Sequence, residues 1–151
     1  KSLSNYTGVK RRFTLLGKVN KSLVFDDYAH HPTEIKATFS SAKKISKNVI
    51  VVFQPHRYSR TYFLMNDFIK VLSKIKKLYL LKTYSAGEKI IKGSTSKKLY
   101  LNLLKNNKNV IYVEDEIKLN NYLYEDTLKK QIIIFMGAGS ITKMAYNFVK
   151  K

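Results

Sequence analysis

Between Asp26 and His31 the chain gathers two carboxylates, a tyrosine and two of its three histidines, and Pro32 follows at once. Imidazole can give or take a proton near neutrality. A carboxylate beside it can orient the ring, grip a ribose hydroxyl or help hold a cation. Asp27, Tyr28, His30 and His31 therefore read as an acid–base, ribose or metal cluster. The adjacent histidines lack the regular ligand spacing of structural zinc sites. His31 has a second reading as the cap of a helix with Pro32 in its first turn. A second cluster, QPHRYSR at 54–60, brings the third histidine, His56, together with Arg57 and Arg60. Arginines three apart share a side if the turn is helical. Joined to a helix amino terminus they would form an anion receptor; the alternative is a solvated loop with ion pairs to nearby acids.

Arginine is rare here, which gives its placement meaning. Lysine and arginine number 29 together, yet the only arginines are Arg11, Arg12, Arg57 and Arg60. In a lysine-rich chain, arginine marks places that need a planar, two-pronged grip on carboxylate or phosphate. The formal net charge of +19 raises the possibility of a polyanion partner. The lysines, however, spread along the whole chain, mostly on the polar faces of helices. No nucleic-acid motif or aromatic-rich basic loop accompanies them. The charge reads as a lysine-biased surface without a nucleic-acid partner, and a basic polyanion-binding domain stands as the alternative class.

Three further stretches are weaker. GVKRRF sets Arg11 and Arg12 ahead of a strand. YSAGEK offers a turn with Gly87 and the carboxylate of Glu88. FMGAGSITK is a strand, a glycine turn and a helix start, but lacks the spacing of either established phosphate-loop fingerprint. Tight strand-to-helix packing explains its glycines equally well. The acids at 114–116 read as a solvated first helical turn.

The elements that must position these groups alternate. RRFTLLGKV and KSLVFDD read as a hairpin around 17–21, followed by a helix over 33–46. NVIVVFQ is a continuous apolar run, as expected of a strand covered on both faces. A single helix is expected over 60–76, a strand over 77–84 and a helix near 95–106. A strand at 109–113, a helix near 115–129, the strand QIIIFMG and a helix over 140–150 complete the order. The alternation predicts an α/β, Rossmann-like, mostly parallel sheet with helices on both faces and an antiparallel edge strand at the amino end. Ligands of such sheets sit beyond the carboxyl ends of the strands. All the polar clusters fall there.

With 151 residues the chain suits one domain, and it has no cysteine. That composition fits a reducing compartment. Its apolar runs are too short to span a bilayer, and no secretory signal opens it. The expected location is the cytoplasm, with no membrane partner. Because it opens at Lys1 on polar residues, the chain reads as a piece of something longer.

RRF, DDYAHHPTEI, VVFQPHRYSRT, YSAGEKIIKGSTS and GAGSI stand in a recognisable order and spacing. They resemble the carboxy-terminal domain of the UDP-N-acetylmuramate–L-alanine ligases, Mur ligases of bacterial peptidoglycan synthesis. The resemblance runs from about Leu3 to Val149; Ser85 stands where the family usually has proline. It implies one domain over 1–151, with a UDP-sugar domain and a central P-loop domain lying outside this chain. It implies an ATP-dependent amide-bond ligase, with Mg2+ held mainly by the central domain and the isolated domain inactive. The implied partners are ATP, UDP-N-acetylmuramate and L-alanine. By resemblance, Arg57 and Arg60 hold the alanine carboxylate and the oxygens of an acyl phosphate. His30, His56 and Tyr28 line the alanine pocket, and His30 helps the ammonium lose a proton. Asp27 meets the ATP ribose, and Arg12 reaches ATP across a domain interface. His31, Glu34 and Glu88 are supporting residues, and no metal ligand is assigned. A murein tripeptide recycling ligase, sharing a version of the first motif, is the rival within the family.

Overall fold

The computed structural model describes residues 12–150. Six strands and six helices occur in the order β1 (Thr14–Val19), β2 (Ser22–Asp27), α1 (Pro32–Ile45), β3 (Val49–Phe53), α2 (Tyr58–Phe63), α3 (Met65–Leu72), β4 (Lys77–Leu81), α4 (Ser96–Leu103), β5 (Val110–Val113), α5 (Glu116–Thr127), β6 (Ile132–Met136) and α6 (Ile141–Val149). They build one sheet in the order β1-β2-β6-β3-β4-β5. Every pairing is parallel except that of β1 with β2, which forms the antiparallel edge.

Strand alternation divides the core between two faces. Val49, Val51 and Phe53 of β3 and Ile132, Ile134 and Met136 of β6 point to one side, where Ile35, Phe68, Leu72, Leu99 and Leu103 from α1, α3 and α4 cover them. Ile50, Val52, Ile133 and Phe135 point to the other, beneath Leu119, Leu123, Ile141 and Phe148 from α5 and α6. All five residues of β3 and of β6 are buried. That is why both read as unbroken apolar runs rather than as alternation.

One expectation shifts. The single helix over 60–76 is two helices, broken at Leu64, whose backbone (φ −107°, ψ 18°) leaves the helical region. No proline or glycine stands there, so the sequence carries no breaker signal. The hairpin expected around 17–21 turns at Asn20 and Lys21, and Asn20 has a φ of 49°. Gly17 lies beside a bulge in β1, and a Cβ there would come within 2.7 Å of Val149 on α6. No helix among the described residues is long and apolar enough to cross a membrane.

The register of the sheet decides where the polar segments emerge. Met136 of β6 pairs level with Asp27 of β2 on one side and with Phe53 of β3 on the other. Three strands therefore end side by side, and the segments after them, 28–31, 54–60 and 137–140, emerge together. Ile134 sits at the centre of this arrangement, fully buried. Ile134→Ala should cost about 2–5 kcal/mol of stability. Urea unfolding should show a lower midpoint with an unchanged slope, and a loss below about 1 kcal/mol would mean the centre repacks.

Candidate functional site

Neighbouring strand residues face opposite sides, so the two aspartates of DDY part company. Asp26 turns towards α6, where the Thr142 hydroxyl donates to it at 3.1 Å. Asp27 turns the other way. Its Oδ1 accepts from the Ala29 amide and its Oδ2 from the Phe13 amide, both at 2.7 Å. One buried carboxylate thus pins the turn after β2 and the approach to β1 together. Phe13 holds a φ of 47° and stacks on Phe25 at 4.5 Å. A cavity of about 420 Å³ opens beside them, lined by Arg12, Asp27, Tyr28 and Glu34 and by Thr38 and Ser41 of α1. Arg11 lies outside the described residues.

His31 caps α1. Its Nδ1 accepts from the Thr33 amide at 3.3 Å, while Glu34 Oε2 accepts from the His31 amide at 3.0 Å, completing a capping box with Pro32 in the first turn. Glu34 Oε2 also accepts from the His30 amide at 3.0 Å. Burial pushes the Glu34 carboxyl up, but these two amides outweigh it and hold its pKa below the ordinary value. His30 is left with its ring turned towards the site. Its Nδ1 lies 2.8 Å from the Tyr28 carbonyl and 3.7 Å from Glu34 Oε2.

The loops after β3 and β4 are zipped together by backbone. The Tyr84 amide donates to the Pro55 carbonyl and the Arg57 amide to the Tyr84 carbonyl, both at 2.8 Å, so His56 and Tyr84 pair as an extra parallel rung. Arg57 has a φ of 73° and ψ of 137°, a conformation that costs a non-glycine residue on the order of 1–3 kcal/mol. The Tyr84 carbonyl holds one side of it. On the other, the buried Thr61 donates to the Arg57 carbonyl from its amide (3.2 Å) and its hydroxyl (2.9 Å).

The expected anion receptor changes here. The amino terminus of α2 is occupied by Glu88, whose carboxylate accepts from the Ser59 amide (2.9 Å) and hydroxyl (2.7 Å). Those two bonds draw the Glu88 pKa below its ordinary value. Anion binding at this edge therefore falls to the guanidinium groups. Among the described residues neither Arg57 nor Arg60 forms an ion pair with a carboxylate.

Four rings run in a row across the strand ends. Tyr28 meets His30 edge-on at 4.9 Å, His30 lies 5.7 Å from His56, and His56 stacks on Tyr84 at 5.5 Å. Arg60 joins them, its Nη1 3.3 Å from His56 Nδ1. The row links the segments after β2, β3 and β4. The glycine turn after β6 closes behind it: a Cβ at Gly139 would lie 2.5 Å from the Tyr84 ring and 2.8 Å from Gln54 Oε1. That oxygen accepts from the Ile141 amide, and Gln54 Nε2 donates to the Ser140 hydroxyl. The glycines of FMGAGSITK thus serve close packing, and Gln54 caps α6.

Of the residues singled out in the sequence, Tyr28, His30, His56, Arg57 and Arg60 come together at one edge. Arg12 and Asp27 line the adjoining cavity, and His31, Glu34 and Glu88 fix backbone. Gln54, Ser59 and Tyr84 were not singled out, although they hold the arrangement. Their contacts span 86, 29 and 28 positions of sequence, so local pattern gives no sign of them. The assembled edge offers two guanidinium groups, two imidazoles and an aromatic floor. Such a surface can hold a small carboxylate and exchange a proton beside it.

Residues 11–139 match the family model described as Mur ligase, glutamate ligase domain. Similar curated proteins are the UDP-N-acetylmuramate–L-alanine ligase of Carboxydothermus hydrogenoformans, 41% identical over 99% of this chain and 32% of its own length, and that of Aquifex aeolicus, 40% identical over 100% and 33%. The chain spans about a third of the length of these relatives. Among solved structures, the UDP-N-acetylmuramate–alanine ligase MurC from Thermotoga maritima aligns with a TM-score of 0.74, at 27% identity, over 95% of this chain and 30% of that one. A murein peptide ligase from Psychrobacter arcticus aligns with a TM-score of 0.73, at 22% identity, over 98% of this chain and 31% of that one. The second likeness is one of fold.

His56 gives the site a pH signature. Burial lowers its pKa below the ordinary value of about 6.5, and the charges of Arg60, His30 and Arg57 lower it further, with Glu88 opposing them. Between the folded and unfolded pKa values the unfolded chain binds more protons, so stability rises with pH through that window. The contribution is complete above about 6.5 and is lost as pH falls below it. Stability of His56→Gln should therefore decline less steeply than that of the parent as pH drops from 6.5 to 5. Parallel declines in urea midpoints would contradict the assignment.

Proposed function

The chain belongs to the Mur ligase family, and from that premise we propose that it is the carboxy-terminal domain of a UDP-N-acetylmuramate–L-alanine ligase. The observation that carries this reading is the meeting of Arg57, Arg60, His30 and His56 across adjacent strand ends. The likeness to the L-alanine ligases supports it. The murein peptide ligase shares the fold to nearly the same degree, so the preference for L-alanine over a tripeptide rests on sequence identity. The domain is read as a single unit, with the UDP-sugar and P-loop domains in the remainder of a longer, cytoplasmic protein.

In the proposed reaction, the γ-phosphoryl group of ATP passes to the lactyl carboxylate of UDP-N-acetylmuramate, giving ADP and an acyl phosphate. The amine of L-alanine attacks the acyl carbon, the bond to the phosphate oxygen breaks, and inorganic phosphate leaves. The alanine nitrogen sheds two protons between ammonium and amide. Both transition states are crowded with anionic oxygen, so positioned cations carry much of the catalysis. Arg57 and Arg60, unpaired with carboxylates among the described residues, are assigned to the alanine carboxylate and the acyl-phosphate oxygens. Tyr28, His30 and His56 are assigned to the walls of the alanine site.

Arg12 and Asp27 are assigned to ATP, in the cavity they share. Each Asp27 oxygen accepts one amide. A carboxylate has about four lone-pair positions, so capacity is left for ribose hydroxyls. Among the described residues no three His, Asp or Glu side chains converge as metal ligands. By the family resemblance, magnesium is assigned mainly to the central domain of the longer protein.

The test is phosphate release by the full-length gene product given ATP, magnesium, UDP-N-acetylmuramate and L-alanine. Release that needs both the sugar nucleotide and L-alanine is the expected result. Release only with tripeptide would transfer the domain to the recycling ligase, and none with either would overturn the reading. In the active enzyme, Arg57→Lys keeps the charge and loses the fork. Its kcat/KM for L-alanine should fall roughly 10- to 1000-fold, about 1.4 to 4 kcal/mol of transition-state binding. A value near that of the parent would remove Arg57 from the carboxylate.

A further inference from the structure

The tautomer of each histidine at the site depends on what its Nδ1 faces. His30 Nδ1 lies 2.8 Å from the Tyr28 carbonyl oxygen, which only accepts, so Nδ1 carries the hydrogen. His56 Nδ1 lies 3.3 Å from Arg60 Nη1, which only donates, so Nδ1 keeps its lone pair. A neutral imidazole has one N–H. His30 therefore presents Nε2 as an acceptor, and His56 presents Nε2–H as a donor. The two rings are 5.7 Å apart and held on their outer sides, His30 edge-on to Tyr28 and His56 stacked on Tyr84. Both hydrogen-bond partners are fixed within the fold, so this division exists before any ligand arrives.

We propose that the two histidines are held in opposite tautomers so that they read the two ends of an α-amino acid, and that Glu34 is the residue that positions His30 for its part. This rests on the reading of the edge as an amino-acid site. The His56 Nε2–H donates to the carboxylate beside Arg57 and Arg60. The His30 Nε2 lone pair takes one proton from the ammonium: an N–H bond of the ligand breaks, an Nε2–H bond forms, and the amine is left neutral with its lone pair free. His30 then carries a positive charge with both nitrogens donating. Glu34 Oε2, 3.7 Å from His30 Nδ1, faces that charge, and the same oxygen holds the His30 amide in place. Glu34 thus acts through His30, on its orientation and on its charged form.

The groups around His30 are Tyr28 and His31 in its own turn, Glu34 from α1 and His56 from the β3 loop, with Arg57, Arg60 and Glu88 acting in turn on His56. Of the described groups beside His30 itself, Glu34 is the carboxylate; Glu88 acts through His56 and is held by Ser59. Removal of Glu34 should leave the charge that the proton transfer places on His30 without its facing carboxylate.

The first test needs no activity. Nitrogen-15 NMR of the histidine side chains in this chain should show hydrogen on Nδ1 of His30 and on Nε2 of His56 at pH 7.5. The same tautomer in both rings would overturn the proposal and leave the ligase reading standing. The second test uses Glu34→Gln in the full-length enzyme, at a temperature where the variant is fully folded. The kcat for L-alanine should fall while its KM stays near that of the parent, because the charge formed on His30 during the step loses its partner. A role confined to capping α1 would lower Tm and leave kcat where it was, which would also overturn the proposal. A parent enzyme that releases no phosphate, with the tautomers as stated, would instead remove the ligase reading and with it the amino-acid ligand.

Discussion

The architecture depends on the parallel pairing of β6 with both of its neighbours. Asp27, Met136 and Phe53 lie level across three strands, so the segments leaving β2, β6 and β3 share one edge. The helices beyond them depart to opposite faces, α1 and α3 to one and α6 to the other. That divergence is the arrangement found at the switch point of an open α/β sheet. A shift of one residue in either pairing would exchange the strand's side chains between the two differently shaped cores. The buried aliphatic residues of β3 and β6 hold the register and, through it, the spacing of the site.

At that edge, among the described residues, backbone hydrogen bonds rather than ion pairs fix the side chains assigned to chemistry. Arg57 sits in a conformation unfavourable for its type, held between the Tyr84 carbonyl and Thr61. Glu88 closes the first turn of α2, and Asp27 and Glu34 each use carboxylate oxygens on amides. The acids near the edge are thus largely consumed in shaping loops. The guanidinium groups keep their charge for a ligand. This division agrees with the sequence, where arginine is rationed and the three described arginines stand at this edge or the adjoining cavity.

Much of this was legible before any coordinates. Periodicity and apolar runs gave the strand–helix alternation, because β3 and β6 are covered on both faces and α1 begins at a proline with its capping box intact. The gathering of rare residues pointed to His30, His56, Arg57 and Arg60. Other features lay beyond local pattern. Leu64 breaks a helix without any breaker residue. Glu88 takes the helix terminus that the sequence left open to anions, because a loop 29 positions away returns to it. Gln54 and Tyr84 look like ordinary strand-end residues, and only the folded sheet brings them against the glycine turn. The aspartate pair reads as one unit in the sequence, yet strand alternation sends its members to opposite faces.

The position of β6 in the sheet has a consequence for how the site comes into being. Among the described strands it is last in the chain, yet it lies between β2 and β3, and it is the ladder partner that joins them. Until it inserts, β1–β2 and β3–β4–β5 have no strand-to-strand bond between them. His30 and His56 then belong to separate pieces. Such long-range pairing is slow to form because the loop-closure entropy comes first. As the chain leaves the ribosome, every residue assigned to chemistry has emerged long before the strand that makes them neighbours. The edge that carries the function is therefore completed by a segment that contributes no assigned catalytic side chain.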